Sequence, residues 1–145
     1  MPLLNYTTKV PSSRTISEVQ KILALAGARQ VLTEFGPGGS PVGIAFAVAT
    51  PNGERHYHLP ADVAAVAQVM KSDPGTPKPL QTPEQAERVA WRIIKDWLEA
   101  QLAIVATQMV AFDQVMLPYM SAGAGGRTVY DLYLDQQLAL PEGTP

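Results

Sequence analysis

The chain of 145 residues has no cysteine, which excludes a disulfide framework, a cysteine-based zinc site and a thiol nucleophile. Histidine is nearly absent too: His56 and His58 confine imidazole chemistry to one place in the sequence. An excess of one charge is also missing. The formal net charge is -2, so no global basic field exists to condense on nucleic acid or an anionic membrane. The longest strongly apolar stretch, Leu98 to Phe112, is broken by Glu99, Gln101, Thr107 and Gln108 and cannot span a bilayer. Met1 to Val10 shows no basic segment leading into an apolar one, and no lipidation motif occurs, so a cytoplasmic protein is expected. What is present is a hydrophobic content of 46%, too high for a disordered chain. At this length, folding buries about 68% of the extended chain's surface, enough for a core without disulfides.

Local patterns divide the chain. Leu4, Tyr6, Thr8 and Val10 alternate with Asn5, Thr7 and Lys9, the period of a strand that Pro11 ends. Thr15-Ile16-Ser17-Glu18 has the form of a capping box, and Ile16, Val19, Ile22, Leu23 and Ala26 follow at helical spacing up to Gly27. Gln30 to Phe35 reads as a short strand, and Gly36 to Pro41 as a loop. Val42 to Thr50 is a strand with large Ile44, Phe46 and Val48 on one face and small Gly43, Ala45, Ala47 and Ala49 on the other. Pro51-Asn52-Gly53 turns it, so Glu54 to Leu59 should return antiparallel. Ala61 to Lys71 is helical, with Val63, Val66, Ala67 and Met70 on one side.

Residues 1–71 are thus expected to form a β-α-β-β-β-α core, and 72–81, with Pro74, Gly75, Pro77 and Pro79, a linker. Thr82-Pro83-Glu84-Gln85 stacks helix-start signals ahead of a long apolar stripe from Ala86 to Val105, so 82–120 is read as a long helix with a short helical extension. In 121–145 a flexible Gly-rich segment precedes a short helix from Thr128 to Leu138. The fold class expected is α+β: an antiparallel sheet of about four strands, covered by helices and joined by a long C-terminal helix. Its core should contain Ile22, Leu23, Ile44, Phe46, Val48, Val66, Ile93, Trp97 and Ile104.

The order α-β-β-β-α from Thr15 to Lys71 resembles that of a double-stranded RNA-binding domain. The lysines that family needs at its second helix are missing from Ala61 to Val66, and the loop at Gly36 holds no histidine, so no RNA contact is carried over. Asn5 to Pro11, Ala90-Trp91-Arg92-Ile93-Ile94-Lys95-Asp96-Trp97 and Gln114 to Tyr119 together resemble small accessory proteins of bacteriophages and prophages. That resemblance implies a bacteriophage accessory origin, with the bacterial host's cytoplasm as the expected location, and brings no established activity.

Candidate chemistry is sparse. Glu54, His56 and His58 share one strand face and could ligate a divalent metal if a third ligand came from Asp62, Glu34 or another chain. Gly36 to Pro41 lacks the Gly-Lys-Ser/Thr ending of a phosphate loop, and no Gly-x-Ser-x-Gly elbow occurs. Arg88, Arg92 and Lys95 form a stripe beside Trp91, although acidic residues outnumber basic ones eight to four from Thr82 onward. Neither a catalytic set nor a resident cofactor follows from these patterns. A non-catalytic accessory binding protein is therefore expected, acting on a host protein or a small nucleotide-like ligand, with Arg88, Trp91, Arg92, Arg127, Tyr130 and Tyr133 as ligand contacts. The alternatives are a nucleic-acid-binding accessory of replication or recombination and, behind it, a metal-dependent enzyme using His56 and His58. The breadth of the long helix's apolar surface predicts a homodimer through that helix.

Overall fold

Gly27, at φ 101°, lets the chain leave its first helix directly into a strand, and a two-residue turn at Pro51-Asn52 folds the next two strands together. The computed structural model describes residues 2–123, 125–135 and 141–143. In chain order the elements are α1 (Ser12–Leu25), β1 (Ala28–Phe35), β2 (Pro41–Thr50), β3 (Gly53–Pro60), α2 (Val63–Ser72), α3 (Pro83–Ala106), α4 (Phe112–Val115) and α5 (Val129–Leu134). The class is α+β, and the sheet is antiparallel with the order β1-β2-β3.

Three strands form rather than four. The segment from Leu4 to Val10, expected as a strand, is a turn in which Asn5 sits at φ 66°. Its carbonyls are satisfied by a side chain instead of a ladder: Gln85 Nε2 donates to Tyr6 O and Thr8 O, both at 2.9 Å. The longest helix, α3, spans 24 residues and is followed by two shorter ones, so the last helix is not long; α5 has six residues. The expected last helix ran to Leu138, and 136–138 lie outside the described residues. Among the described residues no helix is long and apolar enough to cross a membrane.

Two apolar clusters organise the molecule. In the larger, Ile44, Phe46 and Val48 of β2 and Tyr57 and Leu59 of β3 meet Val19 and Leu23 of α1 and Trp91 and Leu98 of α3. Phe46 stacks on Tyr57 with centroids 5.4 Å apart, and Phe112 meets Tyr57 edge-on at 5.3 Å. In the smaller, Met70 of α2 packs on Ala86 and Val89, with Leu3 and Tyr6 against its edge. Helix α3 therefore packs against α1 and α2 within one chain, which accounts for an apolar surface wider than one stripe. Pairing of two chains through this helix is not needed to cover it. Ile104, expected in the core, is exposed, whereas Trp91, expected at a ligand, is fully buried.

Candidate functional site

Strand periodicity gives the sheet two unlike faces. Alternate β2 residues Ile44, Phe46 and Val48 point into the larger cluster, so Gly43, Ala45 and Ala47 line the opposite side. Across from them stand Gln30, Leu32 and Glu34 on β1 and His56 and His58 on β3. Short side chains on the central strand between longer ones at the flanks make a trough of about 430 Å³. Its floor is alanine, its β1 wall carries Leu32 at 64% exposure, and its β3 wall carries the two imidazoles.

One close polar contact crosses the trough. His58 Nε2 lies 2.5 Å from Glu34 Oε1, over Gly43. A Cβ at that glycine would sit 3.1 Å from Nε2 and 3.2 Å from Oε1, so a residue without a side chain is what lets the pair meet. The expected metal site does not assemble: among the described residues no three of His, Asp and Glu gather around a common point. Glu54, His56 and His58 share a strand face, where two imidazoles two residues apart can turn toward one ion, but no third ligand joins them among the described residues. Glu34, one of the third ligands considered from sequence, reaches His58 alone.

Beyond β3 the chain returns to extend the site. Ser121 N–H donates to His56 O at 2.7 Å, Met120 bridges Tyr57, and Ser121 bridges Thr128. Gly123, Gly125 and Gly126 all take positive φ in the loop these contacts close. Thr128 then caps α5, its hydroxyl oxygen accepting from Asp131 N–H while its own N–H donates to Asp131 Oδ2 at 2.9 Å. That backbone donation, with the Thr128 hydroxyl, holds the Asp131 carboxyl below the ordinary carboxylate range. A groove of about 630 Å³ runs between Pro60, Pro118, Tyr119 and Tyr130, and it shares His58 and Gly126 with the trough.

The six expected ligand contacts divide. Tyr130 lines the groove, Tyr133 lies beside it with ring centroids 6.0 Å apart, and Arg127 is ion-paired with Asp135. On α3 none of the three joins them. Trp91 is buried, its Nε1 donating to Pro41 O at 3.1 Å, so its indole has no face to offer a base. Arg92 donates to Glu18 Oε2 at 2.5 Å and to Thr15 Oγ1, and this bond holds the Glu18 carboxyl below its ordinary range. Arg88 lies in a separate groove between α1 and β1 beside Glu84 and Glu87, its Nε donating to Gln85. Leu32, Ala45 and Ala47 were not singled out as site residues by sequence reasoning. The signal was there in the run of small residues alternating with large ones on β2.

No family model matches the chain. Neither a curated protein nor a solved structure matches it.

Proposed function

We propose that this is a non-catalytic binding protein that takes a segment of a host protein on the open face of its sheet. The observation that carries the reading is the trough: at Ala45, the open part of its floor, a partner's backbone can approach the sheet, and the exposed Leu32 beside it supplies an apolar anchor. Its continuation past His58 into the groove under Tyr130 gives an elongated surface suited to an extended segment. Electrostatics favour protein over nucleic acid. Glu34 lines the trough, Asp131 lines the groove and Arg127 is held by Asp135, so a phosphate chain would meet carboxylates. A bacteriophage accessory role in a bacterial cytoplasm rests on the resemblance at 5–11, 90–97 and 114–119.

A small nucleotide-like ligand is the second reading, favoured by the exposed Tyr130 ring at the groove. Affinity capture from a bacterial lysate by the wild type and by Ala45→Arg separates the two, because the arginine fills the trough floor without entering the core. The expected result is a stoichiometric host protein retained by the wild type and lost by Ala45→Arg, with no thermal shift from added nucleotides. Stabilisation by a nucleotide that disappears in Tyr130→Ala would replace the protein-partner reading with the second one. Retention of an oligonucleotide that falls steeply with salt would overturn both.

A further inference from the structure

The two edges of the sheet are treated differently. The outer edge of β3 is covered by Met120 and Ser121. No described residue sends a backbone hydrogen bond to the outer edge of β1. Natural edge strands are protected by proline, lysine, bulges or covering segments, and unprotected ones pair. Register shifts fall at the two ends of β1, between Ala28 and Gln30 and between Glu34 and Phe35, but from Gln30 to Glu34 the register is unbroken, with neither proline nor lysine, and its middle residue is the exposed Leu32.

The direction of the unpaired groups follows from the ladder. Ala61 N–H donates to Val42 O at 2.8 Å, so even-numbered residues of β2 turn their backbone groups toward β3 and odd-numbered ones toward β1. Gln30, Leu32 and Glu34, opposite Ala47, Ala45 and Gly43, are therefore bonded inward. Val31 and Thr33 present their N–H and C=O groups outward.

We infer that β1 pairs antiparallel with β1 of a second copy of this chain, about a two-fold axis through Leu32. Around that axis the strand complements itself. Val31 of each copy faces Thr33 of the other, and the pair exchanges both backbone hydrogen bonds. Gln30 faces Glu34 on the trough side, so an amide donates to the carboxylate oxygen turned away from His58, and this happens twice. Leu32 meets Leu32 across the narrow, non-hydrogen-bonded pair, whose Cα atoms lie about 4.5 Å apart. A shift of the axis to Val31 or Thr33 places Leu32 opposite Gln30 or Glu34 and loses this match. The product is one continuous antiparallel sheet in which each copy extends the other's trough past Leu32. In a single chain the β1 wall ends at the exposed Leu32, so the second copy extends the binding surface beyond it. This pairing stands on the edge geometry and does not depend on which ligand the trough takes.

Sedimentation velocity across the micromolar range tests it, on the wild type, Leu32→Lys and Leu25→Lys. Leu32 lies on the exposed face, so Leu32→Lys leaves the core intact while setting two like charges against each other at the axis. Leu25, 90% exposed at the end of α1, borders the apolar groove between α1 and α3 and reports pairing through the helices. The expected result is a dimer for the wild type and Leu25→Lys and a monomer for Leu32→Lys, with unchanged circular dichroism. Because the chain has no native cysteine, Leu32→Cys should also give an interchain disulfide under mild oxidation, more readily than Leu25→Cys. A wild-type monomer throughout, or a dimer lost in Leu25→Lys and kept in Leu32→Lys, overturns the inference.

Discussion

Tyr57 shows how a single side chain can belong to the core and strain against it. Its ring stacks on Phe46 and meets Phe112 edge-on, yet its hydroxyl is buried with no hydrogen-bond partner among the described residues. Burial, reinforced by the nearby Asp113 carboxylate, pushes the phenol up to about 12 from an ordinary 10.0. Below pH 10 both folded and unfolded chains carry the neutral phenol, and stability from this group is flat. Between pH 10 and about 12 only the unfolded chain releases the proton, so stability falls as pH rises. Tyr57→Phe should keep the ring packing, raise stability by about 1 kcal/mol at neutral pH and flatten the alkaline loss, both read by denaturant melts. A loss of stability in that variant would mean that the hydroxyl is satisfied after all. Trp91 and Gly43 mark two limits of residue-level reading. An aromatic beside arginines at helical spacing looks the same whether it faces solvent or a core, and only the packing of α3 across the sheet decides. A glycine in a strand announces a close approach, but not that an imidazole and a carboxylate make it.

At the scale of elements, what the sequence foretold and what it missed differ by the range of the interactions involved. The β2–β3 hairpin was legible because its turn, Pro51-Asn52, and its alternating strands lie within one stretch of chain. The start of α3 was legible for the same reason: Thr82 Oγ1 accepts Gln85 N–H, as the local motif requires. The start of α1 was not. Its expected capping pair, Thr15 and Glu18, is claimed by Arg92 more than seventy residues away, and the helix begins earlier, at Ser12, with Pro11 as its cap. The N-terminal segment failed likewise, since its alternation fits a helix surface as well as a sheet once Gln85 is there to hold its carbonyls. Gln85→Ala should release that segment, costing about 2 kcal/mol for two buried hydrogen bonds and speeding hydrogen exchange around Tyr6 and Thr8. Unchanged exchange there would show that Leu3 and Tyr6 hold it by packing alone.

For the whole molecule, α1, α3 and α4 are gathered on one side of the sheet, and the trough lies on the other, with α5 at its β3 end. Three strands and α3 share one core, α2 and the N-terminal segment share the second, and α3 belongs to both. Sequence periodicity foretold the large and small faces of β2 but not which elements would cover them, because coverage is fixed by the path of α3 and by the return of the chain along β3. That path makes the bare face the surface available for recognition. The measurement that bears most directly on it is hydrogen exchange of the protein alone and in the complex recovered by affinity capture. Slower exchange concentrated in Gln30 to Glu34, Gly43 to Ala47 and His56 to His58 is the result this account requires. Protection confined to α1 and the Arg88 side of α3, with the trough unchanged, would contradict it.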